Sequence, residues 1–387
     1  MTIYKENKEF RILSAIGIIL VVAGHLGYNL FEIGDLFPYY SFHVFIFVFV
    51  SGYFYKPESA QRIGSYILGK CLSLLLPYFI WNLIYGIFTQ FMRSLGFFIG
   101  NEITFKTLFI SPFLDGHQFL YNYPAWFVPA LFLIEVVNVL MRKVLSIIKL
   151  ENEWLIFAGC LFMGVLTVFL AKGGHVWGYY TIAGRVLFLL PGFQMGRIYR
   201  EKLEKRDTLS DGVYLLIVML IQIIIHIWCG GLAFSAVWVN GFANNPLIPY
   251  LTVCTGIAFW LRIAKILAKI PYFAEKLVYI GRNTYAIMMH HITAFMLLKS
   301  VFYLMSKITP YCQGFDKELF LCQVNFVYLA GGTEASKWLY LFIGIAVPLL
   351  IATGQRFLLK KNRKESRSRG NPPQNVKKYM PQEEIFS

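Results

Sequence analysis

The chain has 387 residues, 57% of them hydrophobic and only 15% charged, with a mean hydropathy of +0.57. A water-soluble domain carries roughly 25% charged residues, so lipid has to cover much of this surface. The formal charge of +15 is not that of a nucleic-acid-binding surface, because the basic residues sit in short segments between apolar runs, a pattern that reports membrane topology.

A membrane-spanning helix needs about 20 mostly apolar residues. The first such run covers 12–30, and Gly24-His25 inside it does not resemble a small-residue cleavage site, so the run reads as a retained anchor. Runs at 39–55 and 72–92 follow, then a long loop at about 94–123 that contains Asp115, His117 and Tyr121 through Tyr123. Further spans are expected at 125–147, 154–171, 179–198, 213–232, 247–266 and 277–303. A second long loop, 304–337, leads to a last span at 338–358. The expected fold class is all-α, a polytopic membrane bundle of about ten transmembrane helices. Residues 1–358 form the membrane domain, and 359–387 read as a basic, disordered cytoplasmic tail lying near anionic headgroups. No internal repeat is evident, so an inverted-repeat transporter gains no support.

The loops set the orientation. Lys5, Lys8 and Arg11 precede the first span, and the loop after that span has no Lys or Arg. Lys56, Arg62 and Lys70 follow the second, Arg142, Lys143 and Lys149 the fourth, and Arg197, Arg200, Lys202, Lys205 and Arg206 the sixth. Basic residues crowd into every second loop, which places both termini in the cytoplasm. The six cysteines show no metal-ligand spacing. Cys71, Cys160 and Cys254 read as apolar packing, whereas Cys312 and Cys322 share one outside loop where a disulfide is open to them.

An ionisable side chain inside a span is costly and is a functional candidate by default. The spans supply His25, His43, Glu135, Arg185, His226, His290 and His291. On the expected orientation His25, His43 and Arg185 share one depth, roughly 6 to 9 Å below the outer surface at 1.5 Å per residue, which permits one site built from the first, second and sixth spans. A neutral histidine can take the proton of a hydroxyl as it attacks a carbonyl, and an arginine can stabilise an oxyanion. This set, with no metal cluster, suits acyl transfer. The bland alternative is that these residues only hydrogen-bond neighbouring helices. Arg282 and Asn283, after Gly281 at the cytoplasmic start of the ninth span, are candidates for contact with a phosphate-bearing donor or for an interfacial anchor. Tyr78 and Trp126 are candidates for substrate or donor binding, and His290 and His291 join them. The two aromatics also fit packing or a belt.

Five segments carry a resemblance. They are Ile18 through His25, Ser41 through Tyr53 (Ser-Phe-His, a Phe-rich stretch, then Ser-Gly-Tyr), Leu75 through Trp81, Trp126 through Leu131, and Ile280 through Thr284 followed by His290 and His291. In this order they resemble integral membrane acyltransferase family 3, in particular its fucose 4-O-acetylase-like branch. The resemblance spans nearly the whole chain. It implies about ten helices, an acyl-CoA donor (usually acetyl-CoA) reaching the protein from the cytoplasm, no metal, and O-acylation of a glycan or lipid-linked sugar in the cell envelope by a protein of the plasma or inner membrane. It also implies that His25 handles the proton. The acidic-then-basic pair that usually precedes the family's first-helix histidine falls, by spacing, at Arg11 and Ser14. A polysaccharide exporter or flippase, using the same aromatic and cationic residues without acyl transfer, is the competing expectation.

Overall fold

The computed structural model describes residues 6–27, 30–31 and 35–368. Within them the expected spans are helices: α1 Lys8–Gly24, α2 His43–Phe54, α3 Ile63–Ser94, α4 Phe127–Ile147, α5 Glu153–Lys172, α6 Tyr179–Ile198, α7 Asp211–Cys229, α8 Ile248–Ala268, α9 Pro271–Gly281, α10 Thr284–Met305 and α11 Ser336–Ser368. Among the described residues, seven helices are long and apolar enough to cross a membrane. The chain is therefore an all-α, multi-pass membrane bundle. Its outer helices keep large apolar side chains exposed, such as Ile84 and Ile87 on α3, Phe162 and Phe169 on α5, and Leu220 and Ile224 on α7. Such a surface is stable facing lipid and would be an aggregation liability in water.

α1 is the central helix. It packs against α2, α8, α9, α10 and α11 and buries charged, polar and apolar residues alike, from Phe10 to Gly24. Its first turn is capped by Asn7, whose side chain accepts from the Phe10 amide. The helix ends earlier than its apolar composition predicts. The backbone turns at Leu26, whose amide bonds the Ala23 carbonyl, and Gly27 follows at φ +84°, a conformation that favours glycine. His25 therefore sits at the end of α1 and not one turn inside a longer span.

α2 and α6 cross backbone to backbone. A Cβ on Gly52 would stand 1.9 Å from the Phe193 carbonyl oxygen, and one on Gly196 would stand 2.0 Å from the Phe49 oxygen. Only glycine fits at either position, which gives the Ser-Gly-Tyr segment of α2 its physical reason. α3 begins before its expected start and carries a π-helical turn at Cys71–Leu75, ahead of Pro77, which has no N–H to give.

The expected ninth span is two helices. α9 stops at Gly281, which lies flat on the Arg11 backbone, and Asn283 donates to the Tyr279 carbonyl at 2.7 Å before α10 starts. Glu6 accepts from Arg11 at 2.9 Å and from Arg282 at 3.0 Å, and Arg356 of α11 donates to Asn283. The start of α1 and the end of the last span thus meet at one end of the bundle. The last helix continues past residue 358 to Ser368, and the rest of the expected tail lies outside the described residues.

At the other end the two long loops fold onto each other. Phe97, Ile99, Phe119, Tyr121 and Phe320 form a satellite cluster with Tyr85 and Met92 of α3 and Met296 of α10. The Phe98 amide bonds the Leu321 carbonyl at 2.8 Å. Cys312 is buried and Cys322 exposed, both as free thiols.

Candidate active site

The cap made by the two loops lies over the end of α1. There His25, only partly buried, meets three elements. Tyr123 comes from a 3-10 turn that leads into α4, and its hydroxyl is 2.7 Å from His25 Nδ1 and 2.8 Å from Asn325 Oδ1. His291 comes from α10 and stacks on the His25 ring at 5.2 Å between centroids. Asn325 belongs to the second loop and is exposed, so this constellation opens to the loop side. Its loop is tied down next door, where the fully buried Lys299 of α10 donates to the Val324 carbonyl at 2.9 Å.

His291 gives its Nδ1 proton to the Ile287 carbonyl one turn back, at 2.7 Å, and its Nε2 is buried with no partner among the described residues. Such orphans are rare in folded proteins and call for a reason. His43 stands behind His25. Its Nδ1 donates to the Tyr39 carbonyl, and its ring meets Tyr40 edge-on, while the Tyr40 hydroxyl bonds the Gly24 carbonyl at 2.9 Å. His43 thus buttresses the end of α1 through Tyr40.

Rings continue from Tyr123 toward α6. Tyr123 stacks with His117 at 5.3 Å, and His117 stacks with Trp238 at 4.8 Å. The Arg185 guanidinium lies 4.9 Å from the Trp126 ring centroid and 5.9 Å from that of Trp238. Arg185 is 2% exposed and, among the described residues, has no carboxylate in hydrogen-bond contact. It donates to the carbonyls of Val237 at 2.6 Å, Leu114 at 3.0 Å and Asp115 at 3.1 Å. The Asp115 carbonyl also takes the His117 Nδ1 proton at 2.7 Å. Arg185 therefore holds the 114–118 segment under the rings. Burial pushes the His117 pKa below its usual value, against the opposing pull of the Asp115 carbonyl.

A family model described as an acyltransferase domain matches residues 7–354. The chain belongs to acyltransferase family 3. Comparison with curated proteins and with solved structures gives no match. In this acyltransferase the family match runs from the cap of α1 into the last helix as far as residue 354, so every residue of the constellation lies within it.

The other expected site residues are spread over the acyltransferase domain. His290 precedes His291 by one residue on α10 and therefore points to another face, where its Nδ1 is 2.8 Å from the Tyr85 hydroxyl and its ring meets Trp81 edge-on. Tyr78 is buried and accepts from Gln118 at 3.2 Å, in a polar cluster with Asn82. Trp126 carries Arg185. Arg282 pairs with Glu6, and Asn283 spends its side chain on Tyr279 and Arg356. Neither is at the His25 end. Glu135 is paired with Lys70 at 2.9 Å and accepts from the Tyr66 hydroxyl. Asn325 and Trp238 escaped sequence reasoning because neither ionises. Tyr123 was visible only as part of an aromatic run in a long loop.

Proposed function

We propose that this membrane acyltransferase moves an acyl group, acetyl in the first instance, from acyl-CoA to a hydroxyl of a cell-surface or exported glycan, with His25 as the general base. The observation that carries the reading is the His25–Tyr123–Asn325 chain. A phenol has one proton to give. With that proton on Asn325 Oδ1, Tyr123 accepts from His25 Nδ1–H, and His25 keeps its lone pair on Nε2. A base held in one tautomer by a second group is the arrangement that general-base catalysis needs.

In the proposed step, Nε2 takes the proton of the acceptor hydroxyl as its oxygen attacks the thioester carbonyl. The carbon–sulfur bond then breaks, and the CoA thiolate recovers the proton from the imidazolium. His291, whose ring stacks on that of His25, would help hold the base in its orientation. Arg185 serves by holding the 114–118 segment and the Trp126 and Trp238 rings in place. His43 keeps the end of α1 in register. The acceptor reaches His25 from the loop side, taken as the outer face of the cell membrane. The donor comes from the basic side, taken as cytoplasmic, and its acyl arm has about 25 Å of α1 to cover at 1.5 Å per residue.

The test is transfer of label from [14C]acetyl-CoA to envelope glycan by purified protein in liposomes. Transfer that depends on the protein and releases one free thiol per acetyl group supports the reading. Glycan movement without thiol release would make the protein a transporter instead.

A further inference from the structure

α10 carries His291 to the site, and it also holds both loops that reach over His25. His290 and Thr293 lie about one turn apart on one face of α10. Both meet the Tyr85 hydroxyl of α3, His290 Nδ1 at 2.8 Å and Thr293 Oγ1 at 3.0 Å. Thr293 Oγ1 also reaches the Tyr121 carbonyl of the first loop at 3.1 Å. Farther along, about 9 Å at 1.5 Å per residue, the Lys299 amine donates to the Val324 carbonyl of the second loop at 2.9 Å. Each carbonyl stands just ahead of a residue of the His25 chain. Tyr121 is two residues before Tyr123, and Val324 immediately precedes Asn325.

Neither loop segment is well held by its own bonds. Leu120 stands at φ +60°, in the left-handed region that favours glycine, so the backbone there needs contacts from outside to stay in place. The Tyr121 carbonyl that Thr293 takes is the next one along. Val324 and Asn325 are the central residues of a turn closed by the Phe326 amide on the Gln323 carbonyl at 3.2 Å. Asn325 is exposed, and the Lys299 bond is what fastens its turn to the bundle.

Lys299 is the less expected of the two. It is fully buried, and among the described residues its amine has one hydrogen-bond partner, the Val324 carbonyl, and no carboxylate. An ionisable group inside a membrane bundle is expensive, and methionine would fill much the same space without that cost. An amine kept there for one carbonyl points to what that carbonyl positions.

We propose that Thr293 and Lys299 are positioning residues for His25. Thr293 fixes Tyr123 and Lys299 fixes Asn325, each through the carbonyl just ahead of it. The Tyr123 oxygen is thereby kept 2.7 Å from His25 Nδ1 and 2.8 Å from Asn325 Oδ1. Neither residue is assigned contact with a reacting atom, and the proposal rests on the reading of His25 as the base.

The experiment measures kcat, KM for acetyl-CoA and Tm of the full chain in liposomes. Alongside, 15N spectra of histidine-labelled protein report the His25 tautomer, its signals being those lost in His25→Ala. Lys299→Met is expected to lower kcat about fivefold, the worth of one hydrogen bond. KM stays at its wild-type value and Tm does not fall, because a buried amine has been replaced by an apolar chain. Thr293→Val lowers kcat by about the same factor, and Thr293→Ser, which keeps the hydroxyl, restores it. In Lys299→Met and Thr293→Val, His25 no longer holds a single tautomer. Because the effect passes through Asn325 and Tyr123, Lys299→Met adds nothing in an Asn325→Leu background, and Thr293→Val adds nothing in a Tyr123→Phe background. The proposal is overturned if either single variant, per folded protein, turns over within twofold of wild type while His25→Ala is inactive. It is also overturned if the double variants show the full product of the single losses. An active His25→Ala would remove the base reading instead. The tautomer then decides: a change in both single variants sustains the positioning, and His25 signals that stay in place in either one overturn it.

Discussion

Replacing Tyr123 by Phe removes a single oxygen from the constellation. That oxygen makes two hydrogen bonds, 2.7 Å to His25 Nδ1 and 2.8 Å to Asn325 Oδ1, each worth about 1 kcal/mol net. Without it the imidazole has no partner at Nδ1 and is free to rotate or change tautomer. If both bonds serve to hold Nε2 toward the acceptor, the barrier rises by about 2 kcal/mol and kcat falls roughly 30-fold. KM for acyl-CoA stays put, because Tyr123 positions the base and is assigned no part in holding the donor. Asn325→Leu produces a fall of similar size. Asn325→Asp keeps an acceptor for the Tyr123 proton and retains most activity. The assay is the initial rate of labelled acetyl transfer to envelope glycan in vesicles matched for protein content. A Tyr123→Phe rate within twofold of wild type would refute the idea that His25 is oriented through Tyr123.

Arg185→Lys leaves an ammonium that reaches only one of the three carbonyls now bonded and weakens the contact with Trp126. The expected loss is about 2–3 kcal/mol of stability, read as a lower Tm and as protease cleavage near residues 114–118; an unchanged Tm would mean that the segment is held by something else. Gly196→Ala places a Cβ 2.0 Å from the Phe49 oxygen and is expected to cost about 1–3 kcal/mol or more as α2 and α6 separate. Gly64→Ala, with nothing within 4 Å, serves as the control and should leave the Tm where it is. The lowered His117 pKa favours the neutral form in the fold. The unfolded chain therefore binds the proton first, and stability contributed by His117 is full above its ordinary value of about 6.5 and declines as pH falls through it. His117→Gln should narrow the difference in Tm between neutral and mildly acidic pH, and an equal difference in both proteins would count against the burial argument.

Much of the fold was legible because a membrane helix declares itself by one property, a long apolar run, and each expected run is a helix or the greater part of one. Two boundaries were hidden for the same reason. Leu26 and Leu30 extend the first run past Gly24, and hydropathy carries no signal that the backbone turns at Gly27. Likewise an apolar stretch continues on both sides of Arg282-Asn283, where α9 gives way to α10. The candidate site was half legible. His25 and His291 stood out because charge is costly in a span, and the structure puts their rings face to face. Arg185 and His43 stood out equally, yet one is spent on backbone carbonyls and the other supports Tyr40. Shared depth on three helices did not make them direct neighbours of His25. The residues that do touch His25 from the loops, above all Tyr123, lie far along the chain, and Asn325 has no charge to attract notice. Their meeting is a consequence of how the two long loops fold over the end of α1.

The most direct test is mass spectrometry of envelope glycans from cells that make wild-type protein or His25→Ala, with membrane insertion confirmed in both. Wild type is expected to add acyl groups to glycan hydroxyls and His25→Ala to add none. Acylation at wild-type levels in His25→Ala would remove the base from the mechanism and leave only the membrane fold and the family.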